Sequence, residues 1–294
     1  MKFVTFKSGS DERLGILDDK KGVLDVAKAN SKLPSDMLSF IAAGDSALAE
    51  AKKLAETADG WQPLSSVKLL APIPHYKKNV FCVGRNYKLH IEEGARARGV
   101  PATFPPVPEF FSKPPTTVIG HGDDILWNSQ VTQQLDYEIE LGIVIGKKCT
   151  NVSEKDALGA VFGYTIGNDV SARELQKNHG QWFKGKSLDT SCPIGPCIVT
   201  KDEFGPVSGH QLVLKVNGEV RQDSNTSDML FNCDQIVSSL SAGLTLEPGD
   251  TIITGTPSGV ALGMTPQAWL KDGDTVELSI TGIGTLTNKV KKVA

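Results

Sequence analysis

The chain has 294 residues, of which 39% are hydrophobic and 22% charged, with 29 glycines and 16 prolines; this is the composition of a turn-rich globular protein, not of a disordered or coiled-coil one. A net charge of −3 with no basic cluster longer than three residues argues against a nucleic-acid partner. No apolar run approaches the roughly 20 residues that a membrane helix needs, and the N-terminal MKFVTFKSGSDERLG lacks an apolar signal region, so a cytoplasmic protein is expected.

Residues 1–26 alternate as three short strands, MKFVTF, RLGILDD and KGVLDVA, divided by SGSDE and DKKG turns. Helical spacing follows over 34–58, through Leu38, Ile41, Ala42, Leu48, Ala51 and Leu54. The paired prolines of LLAPIPHYKKN read as a linker. A small α+β domain over 1–73 and a larger, mainly β domain over 74–294 are therefore expected. NVFCVG is a buried run, and YKLHIEEGARARG is a helix stopped by Gly99. The proline-rich VPATFPPVPEFFSKPP is too long for a simple connector and becomes a candidate binding loop or lid. DYEIELGIVIG and FGYTIGND follow as strands, the second leading into the helix SARELQKN, where Ser171 and Glu174 have capping-box spacing. QLVLKVNGEVRQD is a hairpin turning at Asn217-Gly218. A helix over 233–242, stopped by Gly243, precedes the strands DTIITGTP, DTVELSI and LTNKVKKV.

The five cysteines (Cys82, Cys149, Cys192, Cys197, Cys233) have no CxxC spacing, so neither a disulfide framework nor a zinc knot is expected. The five histidines form no HExxH, and neither GxSxG nor a strand-linked GxGxxG is present. The stretch 136–146 is more informative. Asp136, Glu138 and Glu140 alternate with Tyr137, Ile139 and Leu141, so on one strand three carboxylates project together. A solvated edge strand accommodates such crowding. So does a divalent cation with hard oxygen ligands. Asp169, at a strand end just before a helix, is where a further site residue commonly gathers.

Together, DYEIELGIVIG, GYTIGNDVSARELQ, KGKSLDTSCPIGP, LKVNGEVRQ and GDTIITGTPSGV resemble, in order, the fumarylacetoacetate hydrolase family over about residues 78–294. The resemblance implies a mixed β-roll or barrel catalytic domain, commonly homodimeric, with a small N-terminal domain. It implies that Mg²⁺ or Mn²⁺ is held by Glu138, Glu140 and Asp169. Arg173 and Gln176, one turn apart on a helix face, then look toward substrate, as do Lys113, Lys186 and Thr256, with Lys186 also among the catalytic groups. GRNYxxHxxE is similar to the family's lid motif, with His90 and Glu93 as the proton-handling dyad and Arg85 and Tyr87 shaping the hinge or pocket wall.

The implied substrates are α-keto acids. An acylpyruvate such as fumarylpyruvate would chelate the metal through its carboxylate and 2-oxo group. His90, oriented by Glu93, would then activate water for C–C cleavage to pyruvate and a carboxylic acid. The same enolate chemistry serves oxaloacetate decarboxylation, dienedioate isomerisation and sugar-acid dehydration. A ligand-binding member without catalysis is the rival, against which the complete set of residues speaks. Choice of the acyl group falls to the loop 94–118.

Overall fold

The computed structural model describes residues 1–293. Most of the chain is β. In the larger sheet the order runs Gly22–Asp25, Asp11–Asp18, Lys2–Ser8, Cys192–Thr200, Val161–Asn168, Ile139–Ile145, Thr251–Ile253, Val80–Gly84 and Glu109–Lys113, with Lys68–Leu69 and Val118–Ile119 joining from the side. A second sheet is ordered Glu219–Asn225, Gln211–Val216, Thr275–Ile280, Gly284–Lys292 and Asp124–Trp127. Among the described residues each sheet is an open path, so the roll is the form adopted and a closed barrel is not.

The strand Ile139–Ile145 is buried on both faces. Tyr137, Ile139, Leu141, Ile143 and Ile145 enter the main core, where they meet Leu212, Leu214, Ile236, Leu278 and Leu286. On the opposite face Glu138 and Glu140 are followed by Gly142 and then Val144, which joins Phe3, Phe40 and Ile198 in a separate cluster. A Cβ at Gly142 would stand 2.7 Å from Thr165 Cγ2, so only glycine lets the neighbouring strand approach there. One strand therefore runs from the acidic site to the N-terminal core.

That N-terminal core is built from the three expected strands and the helix Met37–Thr57. Asp36 caps the helix by accepting from the Ser39 amide at 2.9 Å, and the helix breaks at Gly44, with φ 72°. Lys2 and Phe3 pair with Val199 and Ile198, which continues the large sheet into this unit. A boundary near 73 remains a proposal about folding units.

Three local readings meet their structure directly. Lys88–Arg98 is a helix closed by Gly99 in the left-handed region. Cys233–Ser241 is capped by Asn232 and Gln235, and Asn217 and Gly218 both take positive φ at the hairpin turn. In the proline-rich stretch, Glu109–Lys113 is a strand antiparallel to Val80–Gly84; flanking prolines hide five strand residues from a composition-based reading. The Ser171–Glu174 capping box does not form. Ser171–Ala172 pairs with Leu135–Asp136 as a short ladder, which delays the helix to Arg173. Ser171 Oγ instead donates to Asp169 O at 2.9 Å, and Glu174 accepts from Thr132 and from the amides of Gln133 and Gln134.

Candidate active site

Antiparallel register assembles the acids. Ile139 lies opposite Asn168, the Asp169 amide donates to Glu138 O at 2.9 Å, and the Glu138 amide donates to Asn168 Oδ1 at 3.0 Å. Asp169 is thereby fixed beside Glu138 although 31 positions separate them. Glu138, Glu140 and Asp169 are 3%, 1% and 0% exposed, and each offers an oxygen within 4.8 Å of the others'. Asp136 does not join them. The strand is interrupted at 137–138, and Asp136 turns to accept from the amides of Ala261 and Leu262 at 2.8 and 3.1 Å and from Arg173 Nε at 2.8 Å.

Three buried cations face these acids. Lys186 Nζ bridges Glu138 Oε2 at 2.7 Å and Asp169 Oδ2 at 2.6 Å. Arg173 reaches Glu138 Oε1 at 2.6 Å and Asp136, and its other arm donates to Gln176 Oε1 at 3.0 Å. Lys113, fully buried, donates to Asp169 Oδ1 at 2.7 Å and to the carbonyls of Val170 and Lys186. Burial opposes charge on Arg173 and Lys186, but Asp136, Glu138 and Asp169 outweigh it and raise both pKa values. Burial likewise opposes charge on Glu138, where Lys186 and Arg173 prevail and hold the carboxyl below the usual range.

Four acids and three cations leave one acid without a cation, and it is Glu140. Its carboxylate accepts from the Gly255 amide at 2.7 Å but has no cation of its own. Burial, then Asp169 and Glu138, push its pKa well above the usual range. Oxygens bound to one ion at about 2.0–2.6 Å lie no more than ~5 Å apart, so the spacing fits a divalent cation. The donor set is all hard oxygen, as Mg²⁺ or Mn²⁺ prefers. Each carboxylate oxygen that accepts one hydrogen bond keeps a second lone pair for an ion. With a dication in place the buried cluster becomes net positive and suits an anionic ligand.

The candidate dyad stands against this cluster. After the strand Val80–Gly84 the chain turns through Arg85, at φ 51°. Asn86 then locks the turn by donating to Thr254 O and Phe231 O and accepting from the Phe231 amide. The helix Lys88–Arg98 follows. Its Glu93 is held by the Gly259 amide, at 3.0 and 3.2 Å from the two oxygens. His90 Nδ1 lies 3.5 Å from Glu93 Oε2, an ion-pair spacing longer than a good hydrogen bond, and is buried with no hydrogen-bond partner. His90 is close enough to Glu138 to help lower its pKa. The Tyr87 hydroxyl is also buried without a partner, and burial followed by the charge of Glu140 raises its pKa.

The remaining expected residues fall as follows. Thr256 Oγ1 accepts from Gln222 Nε2 at 2.8 Å, and Gln222 also accepts from the Ile139 amide, so Thr256 is tied to the acid-bearing strand. Arg85 is engaged by both oxygens of Glu109 at 2.6 Å and donates to Thr103 O at 3.2 Å, which straps the proline-rich loop to the helix entry. Sequence reasoning did not single out Asn86, Gln222, Gly259 or Gly263. Gly263 leaves space that Glu93 fills: a Cβ there would stand 2.2 Å from Glu93 Cδ. The signal available was the glycine-rich spacing of TPSGVALG.

Two expectations arise here. Asp136 faces N–H donors only, so in Asp136→Asn an amide NH₂ must confront one of them. The variant should lose about 2–4 kcal/mol in urea unfolding and show a raised KM as Arg173 loses its anchor. Unchanged stability would contradict the positioning role. Amide exchange over 85–115 should slow when oxalate binds the metal-loaded protein, as a closing lid requires. Equal exchange with and without oxalate would count against a lid.

The model of the fumarylacetoacetate (FAA) hydrolase C-terminal family matches residues 79–291. The chain is 44% identical over 304 aligned residues to "Oxaloacetate tautomerase YisK" of Bacillus subtilis (strain 168), covering 99% of this chain and 100% of that one. A solved fumarylacetoacetate hydrolase from psychrophilic Exiguobacterium antarcticum is 39% identical with a TM-score of 0.81, each chain covered fully. The maleylpyruvate hydrolase of Sphingobium sp. SYK-6, solved with manganese(II) and pyruvate, is 27% identical with a TM-score of 0.81, again over the whole of both chains.

Proposed function

The chain belongs to the fumarylacetoacetate hydrolase family, and on that premise we propose that it is a divalent-metal-dependent enzyme that interconverts the enol and keto forms of a small 2-oxo dicarboxylate, oxaloacetate being the first candidate. The full-length likeness at 44% identity to an oxaloacetate tautomerase carries this choice. It departs from the order expected from the sequence, where acylpyruvate hydrolysis stood first and oxaloacetate decarboxylation was one alternative. Hydrolysis remains the second reading, favoured by the likeness to a maleylpyruvate hydrolase that binds manganese and pyruvate. A cytoplasmic homodimer is part of the proposal; no helix among the described residues is long and apolar enough to cross a membrane.

Glu138, Glu140 and Asp169 would hold the ion, which supplies Lewis-acid stabilisation of charge on the 2-oxo oxygen. Lys186 and Arg173 keep the surrounding field positive and hold Glu138 ionised. His90 takes a proton from the enol oxygen and, with Glu93 beside it as counter-ion, holds it as imidazolium. Return of that proton from His90 to C3 completes the keto form and leaves the imidazole neutral, with no bond broken in the carbon chain. The helix Lys88–Arg98 covers the cluster and limits water, which would otherwise weaken these electrostatic terms.

The test follows enol-oxaloacetate loss in the presence of Mg²⁺ or Mn²⁺ while pyruvate is assayed separately, with fumarylpyruvate and acetylpyruvate in parallel. Accelerated enol loss without pyruvate is the expected result. Pyruvate released from the acylpyruvates, with oxaloacetate enol loss unaffected, would overturn it in favour of the hydrolase. Pyruvate released from oxaloacetate, with enol loss no faster than without protein, would assign decarboxylation.

A further inference from the structure

We propose that Arg98 binds the distal carboxylate of the substrate and so makes the site selective for 2-oxo dicarboxylates over 2-oxo monocarboxylates; this rests on the reading above. His90, Gly94 and Arg98 are spaced i, i+4, i+8 on the helix Lys88–Arg98, along the face that meets the acid cluster. Gly94 is buried, and the Arg98 guanidinium folds back over it. A Cβ built on Gly94 would lie 3.3 Å from Arg98 Nη1 and 3.5 Å from Nη2. The missing side chain thus leaves a shelf for the guanidinium about one helical turn, ~5.4 Å, from His90.

Arg98 is also the basic group here that has no acid. Arg173 is committed to Asp136 and Glu138, Lys186 to Glu138 and Asp169, Lys113 to Asp169, and Arg85 to Glu109. Among the described residues no carboxylate lies within ion-pair distance of Arg98. Its charged neighbours are Arg85 and Arg173, which after burial are what lower its pKa. A cation gathered among cations is stabilised by an incoming anion. A substrate whose 2-oxo acid end lies at Glu138, Glu140 and Asp169 presents its far end to this helix. A planar guanidinium suits bidentate capture of a carboxylate.

The residue is exposed, so substitution should leave the fold intact. In Arg98→Gln, kcat/KM for enol-oxaloacetate should fall about 10–100-fold, mainly through KM. Inhibition by oxalate, too short to span from the acid cluster to Arg98, should change less than about threefold. Arg98→Lys should recover part of the loss, since it restores charge without the fork. An unchanged KM in Arg98→Gln, or an equal weakening of oxalate, overturns the proposal.

A binding arm separates this from failure of the proposed reaction. Pyruvate, 2-oxoglutarate and oxaloacetate are compared as ligands of the Mn²⁺-loaded protein by thermal shift. If wild type prefers the dicarboxylates and Arg98→Gln erases the preference, Arg98 has its role even where no enol loss is seen. If wild type shows no preference, or the variant keeps it, Arg98 does not read the distal carboxylate, whatever the reaction proves to be.

Discussion

Glu140→Gln should make the metal-free protein more stable while abolishing its activity. Glu140 is the acid of the buried cluster without a cation, so its ionisation is disfavoured in the folded state, and an amide of the same shape still accepts from the Gly255 amide. Removal of a buried acid that lacks a cation should add about 1–3 kcal/mol, or a few degrees in Tm at this size, on the order of 2–6 °C. The same change removes one of three ion ligands, so Mn²⁺ should no longer raise Tm, and turnover should drop by about 10³-fold or more. Asp169→Ala should also lose the ion but with the opposite effect on stability. It strands Lys113 and Lys186, which donate to Asp169 at 2.7 and 2.6 Å, and should cost about 3–5 kcal/mol.

The pH dependence of the Glu140→Gln effect has a defined sign. The Glu140 pKa in the folded state lies above its ordinary value of 4.5, so its contribution is fully present below that pH and is lost as pH rises through the folded value. The stability gap between Glu140→Gln and metal-free wild type should therefore widen from about pH 4.5 upward. Urea unfolding in EDTA at several pH values measures it. A gap that narrows with rising pH would contradict the charge assignment.

His90→Ala should lower kcat by about 10²–10⁴, the scale of general acid–base catalysis, with KM little changed. Glu93→Gln should be milder: an amide can keep one contact to the Gly259 amide but does not balance an imidazolium. Gly263→Ala tests the same dyad from behind. Its added methyl would fall 2.2 Å from Glu93 Cδ, so Glu93 must move, and kcat should follow it. Oxalate should bind all three variants about as wild type does. If His90→Ala turns over normally while oxalate binding collapses, His90 belongs to binding and the base lies elsewhere.

Local patterns were legible where short-range physics decides them. Gly99, Gly243 and the Asn217-Gly218 turn end or reverse elements through positive φ, a preference that needs no tertiary context. Alternation in DYEIELGIVIG marks the buried strand. It does not show that Asp136 leaves the row, because that follows from pairing with Ser171–Ala172 and from the amides of 261–262. Ser171 and Glu174 satisfy a capping pattern in sequence but find better partners at Asp169 and in the 132–134 turn, a case of tertiary context overriding a local rule. The strand in EFFSK was masked by prolines on both sides. The cation network linking Lys113, Lys186 and Arg173 is set by strand register and helix placement. Sequence resemblance nominates its members but contains none of its pairings.

The most direct measurement is the rate of enol-oxaloacetate loss with protein stripped by EDTA, then reloaded with Mg²⁺ or Mn²⁺. The expected result is a rate no faster than buffer plus metal for the stripped protein, and full recovery on reloading wild type but not Glu140→Gln. Full activity in the stripped protein, or recovery in Glu140→Gln equal to wild type, would contradict an ion held by Glu138, Glu140 and Asp169 as the centre of the chemistry.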